Sequence, residues 1–276
     1  MTEFSLIICV YEKENPEFFA QCLDSIAAQT RTPDELIIVK DGPLTGELDA
    51  VLCDVSFPCQ VKTIALPENV TLGPARAEGV KAAGCDWVAI MDSDDVCRPD
   101  RFEKQMDMIE AEPRLGLIGG QTSEFSEAAG RSPATRATRT MRKTPVGHDD
   151  IVKFAKKRNP FNHMTVMLRK DLALEAGNYR YFPFFEDYDL WTRMIKNGAI
   201  CANHPDVLVD VRAGGGMYGR RRGTLYIKYE WRMLKQLKRL GYINRFEFVR
   251  NAAVRLPARL LPAKALATLY RKFLRK

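Results

Sequence analysis

The most chemically suggestive stretch of this chain is Asp92-Ser93-Asp94-Asp95, which ends an apolar run. The run is typical of a buried strand, and such a strand has no structural need for clustered negative charge at its end. Oxygen ligands at this density suit a hard divalent cation, Mg²⁺ or Mn²⁺, whose coordination is usually completed by phosphate oxygens and water. One acid could instead cap the following helix, but one helix needs only one cap. The pattern therefore favours a metal site.

The strand before these acids belongs to an alternating series. Strands are expected at 4–10, 35–40, 61–65 and 87–91, with helices between them at 16–28, 46–53 and 74–83. Alternation of this kind predicts an α/β fold with a largely parallel sheet that is covered on both faces.

Polar residues leave three of these strands at their carboxyl ends, where ligands of parallel sheets bind. They are Tyr11-Glu12, Asp41 and the acids that begin at Asp92. Three such exits at one edge predict a nucleotide cleft, although Asp41 with its following glycine could form only a turn. Arg76, near the start of a helix, could reach a phosphate or remain a solvated surface charge.

The middle of the chain gives weaker signals. A helix is expected at 101–111 and a short apolar strand at 115–119, whereas 131–144 is rich in Arg, Ser, Thr and Pro and predicts a mobile surface loop. The segment 159–168 predicts another strand. Within it His163 could face a ligand or serve as a hydrogen-bonded structural residue.

A second acidic group begins a predicted amphipathic helix. Leu190 and Trp191 start its apolar face, and Glu186, Asp187 and Asp189 lie in its first turn. Acids at this position can simply complement the helix dipole, but a carboxylate among aromatic residues could also be tuned as a base. Helical phase rotates Asp189 away from the other two acids but does not distinguish Glu186 from Asp187. The shorter aspartate side chain has fewer rotatable bonds to immobilise, which favours Asp187 as the base.

The last quarter of the chain is basic. From Arg212 onward it holds 18 Lys and Arg but only two acidic residues, within a whole-chain net charge of +7. A Gly-rich segment carries Arg220, Arg221 and Arg222, which could close over a diphosphate or act as a linker. A helix at 225–240 and basic amphipathic segments at 245–256 and 262–274 fit an anionic bilayer surface better than nucleic acid.

Bulk properties limit the class of protein. The 276 residues suffice for one large α/β domain with appendages, and no apolar run approaches the length of a membrane span. Seven cysteines, with no CxxC pair, fit reduced buried thiols. The N-terminus lacks a signal-peptide pattern, which predicts a cytoplasmic protein.

Together these stretches resemble family 2 glycosyltransferases of the GT-A (Rossmann-like) fold, and among them bacterial exopolysaccharide and capsule enzymes of the amylovoran type. The matching segments are 5–11, 39–42, 73–77, 92–95, 162–167, 186–191 and the Gly-rich arginine segment. The resemblance implies that Asp41 holds the donor base, Asp92 lies near the ribose and metal, Asp94 ligates the metal and Asp187 is the general base. We also expect Val10, Tyr11, Glu12 and Ser93 to lie beside the donor nucleotide, and His163 and Glu186 to lie on the acceptor side.

These observations predict a GT-A domain at 1–212, with a nucleotide-binding half to about 119 and an acceptor half after it, followed by a helical tail at 213–276. The expected function is inverting, metal-dependent transfer from a nucleotide diphospho-sugar, expected to be UDP-linked, to a lipid-linked glycan at the inner face of the cell membrane. A sugar nucleotidyltransferase is an alternative, although it would usually carry a Gly-rich phosphate loop after the first strand. A non-enzymatic membrane adaptor is another.

Overall fold

A computed structural model of the chain describes residues 2–54, 56–125, 140–212 and 222–261. Within them nine strands form one sheet, in the order β3-β2-β1-β4-β8-β6-β9-β5, with β7 paired to β6. The strands are β1 (Phe4–Val10), β2 (Glu35–Lys40), β3 (Gln60–Ala65), β4 (Trp87–Asp92), β5 (Val96–Cys97), β6 (Leu115–Phe125), β7 (Thr140–Arg142), β8 (Met167–Arg169) and β9 (Ile200–Arg212).

Helices cover the sheet and extend beyond it. They are α1 (Pro16–Ala27), α2 (Gly46–Asp54), α3 (Leu72–Ala82), α4 (Arg101–Ala111), α5 (His148–Ala155), α6 (Lys170–Glu175), α7 (Glu186–Lys196), α8 (Thr224–Arg239) and α9 (Arg245–Ala258). None of the described helices is long and apolar enough to cross a membrane.

The amino-terminal half follows the predicted alternation. β1 runs parallel to β2 and β4, in a register that pairs Val10 with Lys40 and Cys9 with Asp92. The residues that follow these strands therefore emerge at one edge of the sheet, which confirms the convergence expected from the sequence. Alternate side chains of β1 enter apolar clusters on opposite faces, so this half is buried on both sides.

The second half of the sheet is mixed, so the expected largely parallel sheet is correct only for the first half. β8 is antiparallel to both β4 and β6, whereas β6 and β9 are parallel. The strand predicted at 159–168 is wrong over most of its length, because His163–Thr165 forms a 3-10 turn and β8 begins at Met167. The Thr165 hydroxyl stabilises that turn by donating to the Asn162 carbonyl at 2.7 Å.

Part of the predicted surface loop at 131–144 is also ordered. Thr140–Arg142 forms β7 against β6, and the Thr144 amide donates to the Gln121 side chain at 2.6 Å. A polar segment can form a strand here because the neighbouring strand offers both backbone and side-chain partners. The rest of that predicted loop, from 131 to 139, lies outside the described residues.

The basic tail packs onto the α/β core. Tyr226 and Tyr229 of α8 contact an aromatic group around Phe182 and Phe185, and they share one apolar cluster with α7 and the sheet. Glu230 is fully buried and pairs with Arg255 of α9 and with Arg259, the residue that follows this helix, at 2.6 Å each. The two tail helices match the predicted segments at 225–240 and 245–256; the third, at 262–274, lies outside the described residues.

Candidate active site

Arg76 lies at the centre of the candidate site. It is buried in α3, and its guanidinium pairs with Asp92 at 2.6 Å and with Glu186 at 3.4 Å. These contacts join the end of β4 to the start of α7, which are far apart in the sequence. Arg76 is thus neither a solvated surface charge nor an isolated cation, and it brings together the two acidic groups that the sequence singled out.

The carboxylates after β4 occupy different environments. Asp94 is half-buried, and burial first, then the charges of Asp92 and Glu14, raise its pKa to about 6. Asp95 is almost fully buried and accepts a hydrogen bond from the Arg212 backbone amide at 2.8 Å. It therefore ties the acidic loop, residues 92–95, to the end of β9. The capping alternative does not apply to Asp95, because α4 has Asp100 at its N-cap position.

Arg212 completes this connection. Its guanidinium donates to the Asp94 carbonyl at 2.9 Å and to Gln21 at 2.9 Å, and lies 3.9 Å from the ring centre of Phe18. Sequence reasoning missed this residue because its partners lie more than 100 residues upstream. Its position at the boundary of the basic tail was the only available signal.

The end of β1 contributes through a residue that the sequence did not single out. Val10 is buried, whereas Tyr11 and Glu12 are exposed at the sheet edge. Ser93 donates its hydroxyl to Glu14, which links the β1 exit to the acidic loop. Glu14 directly precedes the N-cap residue of α1, so the sequence pattern there indicated only the start of a helix.

Asp41 is buried in the loop after β2. Its carboxylate accepts the Val70 amide at 2.7 Å, and Asn69 donates to its carbonyl at 3.2 Å. Burial raises the pKa of Asp41, and the backbone hydrogen bonds oppose that shift. The next residue, Gly42, has φ +89°, and a Cβ there would lie 2.9 Å from the Asn69 amide nitrogen. The prediction of a turn at Asp41-Gly42 is therefore correct, and the Asp41 carboxylate lies at the predicted edge of the sheet as well.

The first turn of α7 separates its three acids. Asp189 pairs with Arg193 at 2.8 Å within the helix, as its rotation away from the other acids predicted. Asp187 is instead held by the Asn159 amide at 2.6 Å, and His163 Nδ1 lies 3.8 Å from its carboxylate. Glu186 faces Arg76. Burial, followed by repulsion from Asp187, raises the pKa of Glu186 to about 7, and burial also raises that of Asp187.

His163 is a buried polar residue whose ring nitrogens find no hydrogen-bond partner within the described ranges. Its ring stacks on Trp191 at a centroid distance of 5.8 Å. Burial, and then the positive charges of Arg76 and Arg101, place its pKa well below the ordinary value, so the imidazole is neutral. The structural role foreseen for His163 holds for the stacking but not for hydrogen bonding, because neither buried nitrogen makes a hydrogen bond within the described ranges.

These residues open into one cavity of about 680 Å³. Its wall includes Arg76, Asp92, His163, Glu186 and Asp187, so five of the residues predicted from the sequence meet there. Asp41 and Asp94 do not line it. Arg222 is exposed and also lies outside the wall, while Arg220 and Arg221 lie outside the described residues.

The acidic loop suits a divalent cation that binds jointly with a phosphate ligand. Within the described ranges no three His, Cys, Asp or Glu side chains converge as a complete metal cage. Burial raises the pKa of Asp94 most, and the charge of Asp92 raises it further, a repulsion that a cation would relieve. Mg²⁺ and Mn²⁺ accept such incomplete protein sites because phosphate oxygens and water fill the remaining positions. The donor set therefore fits the expected metal.

Comparison with known proteins decides the family. Residues 5–175 match the model for Glycosyl transferase family 2. The chain belongs to that family, and it is a glycosyltransferase. It is 39% identical over 272 residues to the amylovoran biosynthesis glycosyltransferase AmsE of Erwinia amylovora, covering 98% of each chain. It is 32% identical to an Escherichia coli UDP-Gal:alpha-D-GlcNAc-diphosphoundecaprenol beta-1,3-galactosyltransferase, covering 99% of this chain and 97% of the relative.

Two solved structures share the fold of this glycosyltransferase. Staphylococcus aureus TarS in complex with UDP-GlcNAc matches with a TM-score of 0.68 at 15% identity, over 94% of this chain and 72% of TarS. A Pyrobaculum calidifontis mannosyltransferase in complex with GDP-Man and Mn²⁺ matches with a TM-score of 0.65 at 14% identity, over 98% and 75% of the two chains. The expected GT-A fold is confirmed.

The raised pKa of Glu186 predicts a pH-dependent stability difference. Folded Glu186 holds its proton up to about pH 7, whereas the unfolded residue loses it near its ordinary value, so its stabilising contribution falls as the pH rises through this window. In metal-free buffer at pH 5, Glu186→Gln should therefore unfold at nearly the wild-type temperature. As the pH rises to 8, its unfolding temperature should rise relative to that of the wild type. Thermal unfolding at both pH values measures this. A difference that does not change with pH would contradict the assigned environment.

Proposed function

We propose that this glycosyltransferase moves a sugar from a UDP-sugar to a lipid-linked glycan, with inversion and with a divalent metal ion. The observation that carries the proposal is the Arg76 bridge, because it joins Asp92 of the acidic loop to Glu186 in the wall of one cavity. A donor diphosphate at the loop and an acceptor in the cavity would then meet beside Asp187. The E. coli relative supports the donor and acceptor classes, since its name specifies UDP-Gal and a diphosphoundecaprenol-linked sugar.

Asp187 is the proposed general base. Asn159 fixes one carboxylate oxygen and the Tyr188 amide binds the other, both at 2.6 Å, so the carboxylate has a set orientation. Its buried position raises its pKa, which strengthens it as a proton acceptor for the attacking hydroxyl. Neutral His163 lines the same cavity, with Nδ1 3.8 Å from the Asp187 carboxylate, and is proposed to lie on the acceptor side.

Glu186 has a different proposed task on the acceptor side. Its contact with Arg76 keeps that guanidinium between the two acidic groups, which aligns the cavity with the loop that receives the donor. Asp92 and Asp94 would hold the metal, whose bound charge would stabilise the departing diphosphate. The protein residues themselves orient the acceptor and take its proton.

The donor nucleotide is proposed to lie along the sheet edge. Asp41 would bind the base, and the β1 exit at Val10, Tyr11 and Glu12, together with Ser93, would flank the nucleoside. The clustered arginines Arg220, Arg221 and Arg222 are proposed to close on its diphosphate. Alanine at all three positions should then weaken binding of UDP much more than that of uridine.

A direct assay tests the proposed function. Purified protein is incubated with labelled UDP-sugars, Mn²⁺ and lipid-linked acceptors, and the labelled lipid product is isolated. Transfer that stops in EDTA and yields an inverted anomeric centre supports the proposal. Label recovered instead in a new sugar nucleotide would point to the nucleotidyltransferase alternative, against which the family membership already argues.

The basic tail is proposed to dock on the inner face of the cell membrane. Phe246 and Val249 of α9 are 75% and 64% exposed, and Leu260 just beyond is 66% exposed. Apolar side chains of this size on a cationic helix can insert into the interface of an anionic bilayer, while each nearby Lys or Arg adds on the order of 1 kcal/mol.

The Phe246→Ser/Val249→Ser double variant should lower retention on phosphatidylglycerol vesicles by about tenfold or more, since it removes two large apolar anchors. Point variants test the docking more directly than truncation of α9. Truncation would leave buried Glu230 without its arginine partners, which would lower the free energy of unfolding by about 3–5 kcal/mol. Vesicle sedimentation measures the loss. Val61→Ser/Leu174→Ser, at exposed apolar sites away from the tail, is the matched control; equal loss in both pairs would refute docking through α9.

A further inference from the structure

The cavity wall contains a basic group besides the acids of the candidate site. Its members come from three separate parts of the chain, namely β7, the segment after α5, and α9 with the residue that follows it. They are Arg142, Lys157, Arg158, Arg255 and Arg259. The proposed mechanism gives none of them a role.

This group lies close to the proposed base. Asn159 donates to Asp187 at 2.6 Å, and Arg158 precedes Asn159 directly, so their Cα atoms are about 3.8 Å apart. Burial raises the pKa of Asp187 and of the adjoining Tyr188, and the charges of Arg142 and Arg255 respectively oppose those shifts. Members of the basic group therefore lie within electrostatic range of the proposed base.

Carboxylates also lie beside the basic group. Glu230, behind the wall, is shared by Arg255 and Arg259, while Asp92, Glu124, Glu186 and Asp187 line the cavity itself. Lys157 is exposed and makes no ion pair with a residue in the described parts of the chain. Several guanidinium groups and one ammonium group in one wall suit a ligand that carries two or more negative charges.

Geometry restricts where that negative charge belongs on the acceptor. If the attacking hydroxyl of a hexose meets Asp187, its anomeric substituent leaves the other side of the ring, one ring width away. Arg158 and Lys157, one and two residues before Asn159, belong to the same cavity wall. The donor diphosphate belongs instead with Asp92 and Asp94, on the other side of the Arg76 bridge.

Apolar side chains continue the same wall. Phe184, Tyr226 and Val254 line the cavity, and Phe184 and Val254 are also exposed to solvent. Val254 belongs to α9, the helix that carries the exposed Phe246 and Val249. A ligand with a sugar, then a diphosphate, then a hydrocarbon chain would thus meet the base, the basic group and an apolar exit in that order.

We propose that Arg142, Lys157, Arg158 and Arg255 form a subsite for the diphosphate of a lipid-diphosphate-linked acceptor sugar, separate from the donor diphosphate site. This inference rests on the proposed function for the identity of the acceptor. It adds the group that the enzyme recognises on that acceptor and the residues that recognise it.

Decyl diphosphate is a soluble probe for this subsite, and decyl monophosphate measures the preference for the second phosphate. The test variant is Lys157→Gln/Arg158→Gln, since neither residue is part of the buried core and folding should persist. The control is Arg114→Gln/Lys153→Gln, which removes the same charge from exposed positions outside the cavity wall. Calorimetry on the full-length chain gives Kd for both probes and for UDP with Mn²⁺.

The wild type should bind decyl diphosphate more tightly than the monophosphate, and the test variant should bind it at least about 30-fold more weakly, because two charge-assisted contacts are lost. The Kd for UDP should stay within about twofold, as expected for separate sites. Unchanged binding of decyl diphosphate would overturn the subsite. An equal loss of UDP binding would assign the cations to the donor, and an equal loss from phosphatidylglycerol vesicles would assign them to the membrane headgroups.

The outcome is separable from that of the proposed function. If no lipid-linked acceptor is glycosylated, but decyl diphosphate binds and the test variant loses it, the subsite stands and the proposed reaction fails. If transfer to lipid diphosphate acceptors proceeds with the same acceptor KM in the test variant, the reaction stands and the subsite is refuted.

Discussion

Asp187→Asn should lower kcat by about 10² to 10⁴ while leaving donor affinity nearly unchanged, because it keeps the shape of the side chain and removes its basicity. The structure supports this choice because the Asn159 side chain and the Tyr188 backbone amide orient the Asp187 carboxylate in the cavity wall. Initial-rate kinetics with saturating donor, together with UDP titration, separate the two effects.

Glu186→Gln is the matched comparison, since the two acids are adjacent and both line the cavity. Glu186 has a pKa of about 7, near the ideal for a base at neutral pH, but it is engaged by Arg76. Its loss should disturb the link to the acidic loop and alter donor KM more than kcat. A near-normal kcat in Asp187→Asn, with a collapse in Glu186→Gln, would move the role of base to Glu186.

Asp94→Ala should reduce metal-dependent turnover by about 10³ or more, close to background, since it removes a proposed ligand and the charge that neutralises the cation. The fold should persist because Asp94 is half-buried and repelled by Asp92 and Glu14, so its removal relieves repulsion. Turnover across a Mn²⁺ titration measures the effect.

A matched control for Asp94→Ala is Asp107→Asn, which removes the charge of an exposed aspartate on α4. It should keep the wild-type rate and the wild-type dependence on Mn²⁺. Full activity of Asp94→Ala in the presence of EDTA would remove both the ligand assignment and the metal requirement from the proposed mechanism.

The parts of the fold that sequence reasoning recovered depend on local patterns. Strand–helix alternation specified the parallel half, and strand ends specified the edge where Asp41 and Asp92 emerge. Helix phase separated Asp189 from its neighbours, and the structure confirms this through its pair with Arg193. These features follow from periodicity within an element and from the rule that parallel strands present their carboxyl ends at one edge of the sheet.

The missed features depend on contacts between distant residues. β9 was not predicted because its alternation includes charged residues and Pro205, and it becomes a strand by pairing with β6. Arg76 could not be separated from a surface charge, because Glu186, one of the two partners that hold it in place, lies 110 residues away. The excess of basic residues predicted a membrane-binding tail, but it gave no sign that Glu230 pairs with Arg255 and Arg259 and ties them to the core.

The central claim is that the two acidic groups that Arg76 brings together, at the end of β4 and the start of α7, serve transfer of a sugar to a lipid-linked acceptor. The most direct measurement incubates the full chain with labelled UDP-sugars, Mn²⁺ and a lipid-diphosphate-linked sugar, and then determines the anomeric configuration of the new bond. The account predicts a labelled lipid product with inverted configuration, formed by wild type and lost in both Asp94→Ala and Asp187→Asn. A product with retained configuration, or one formed equally well by those two variants, would contradict it.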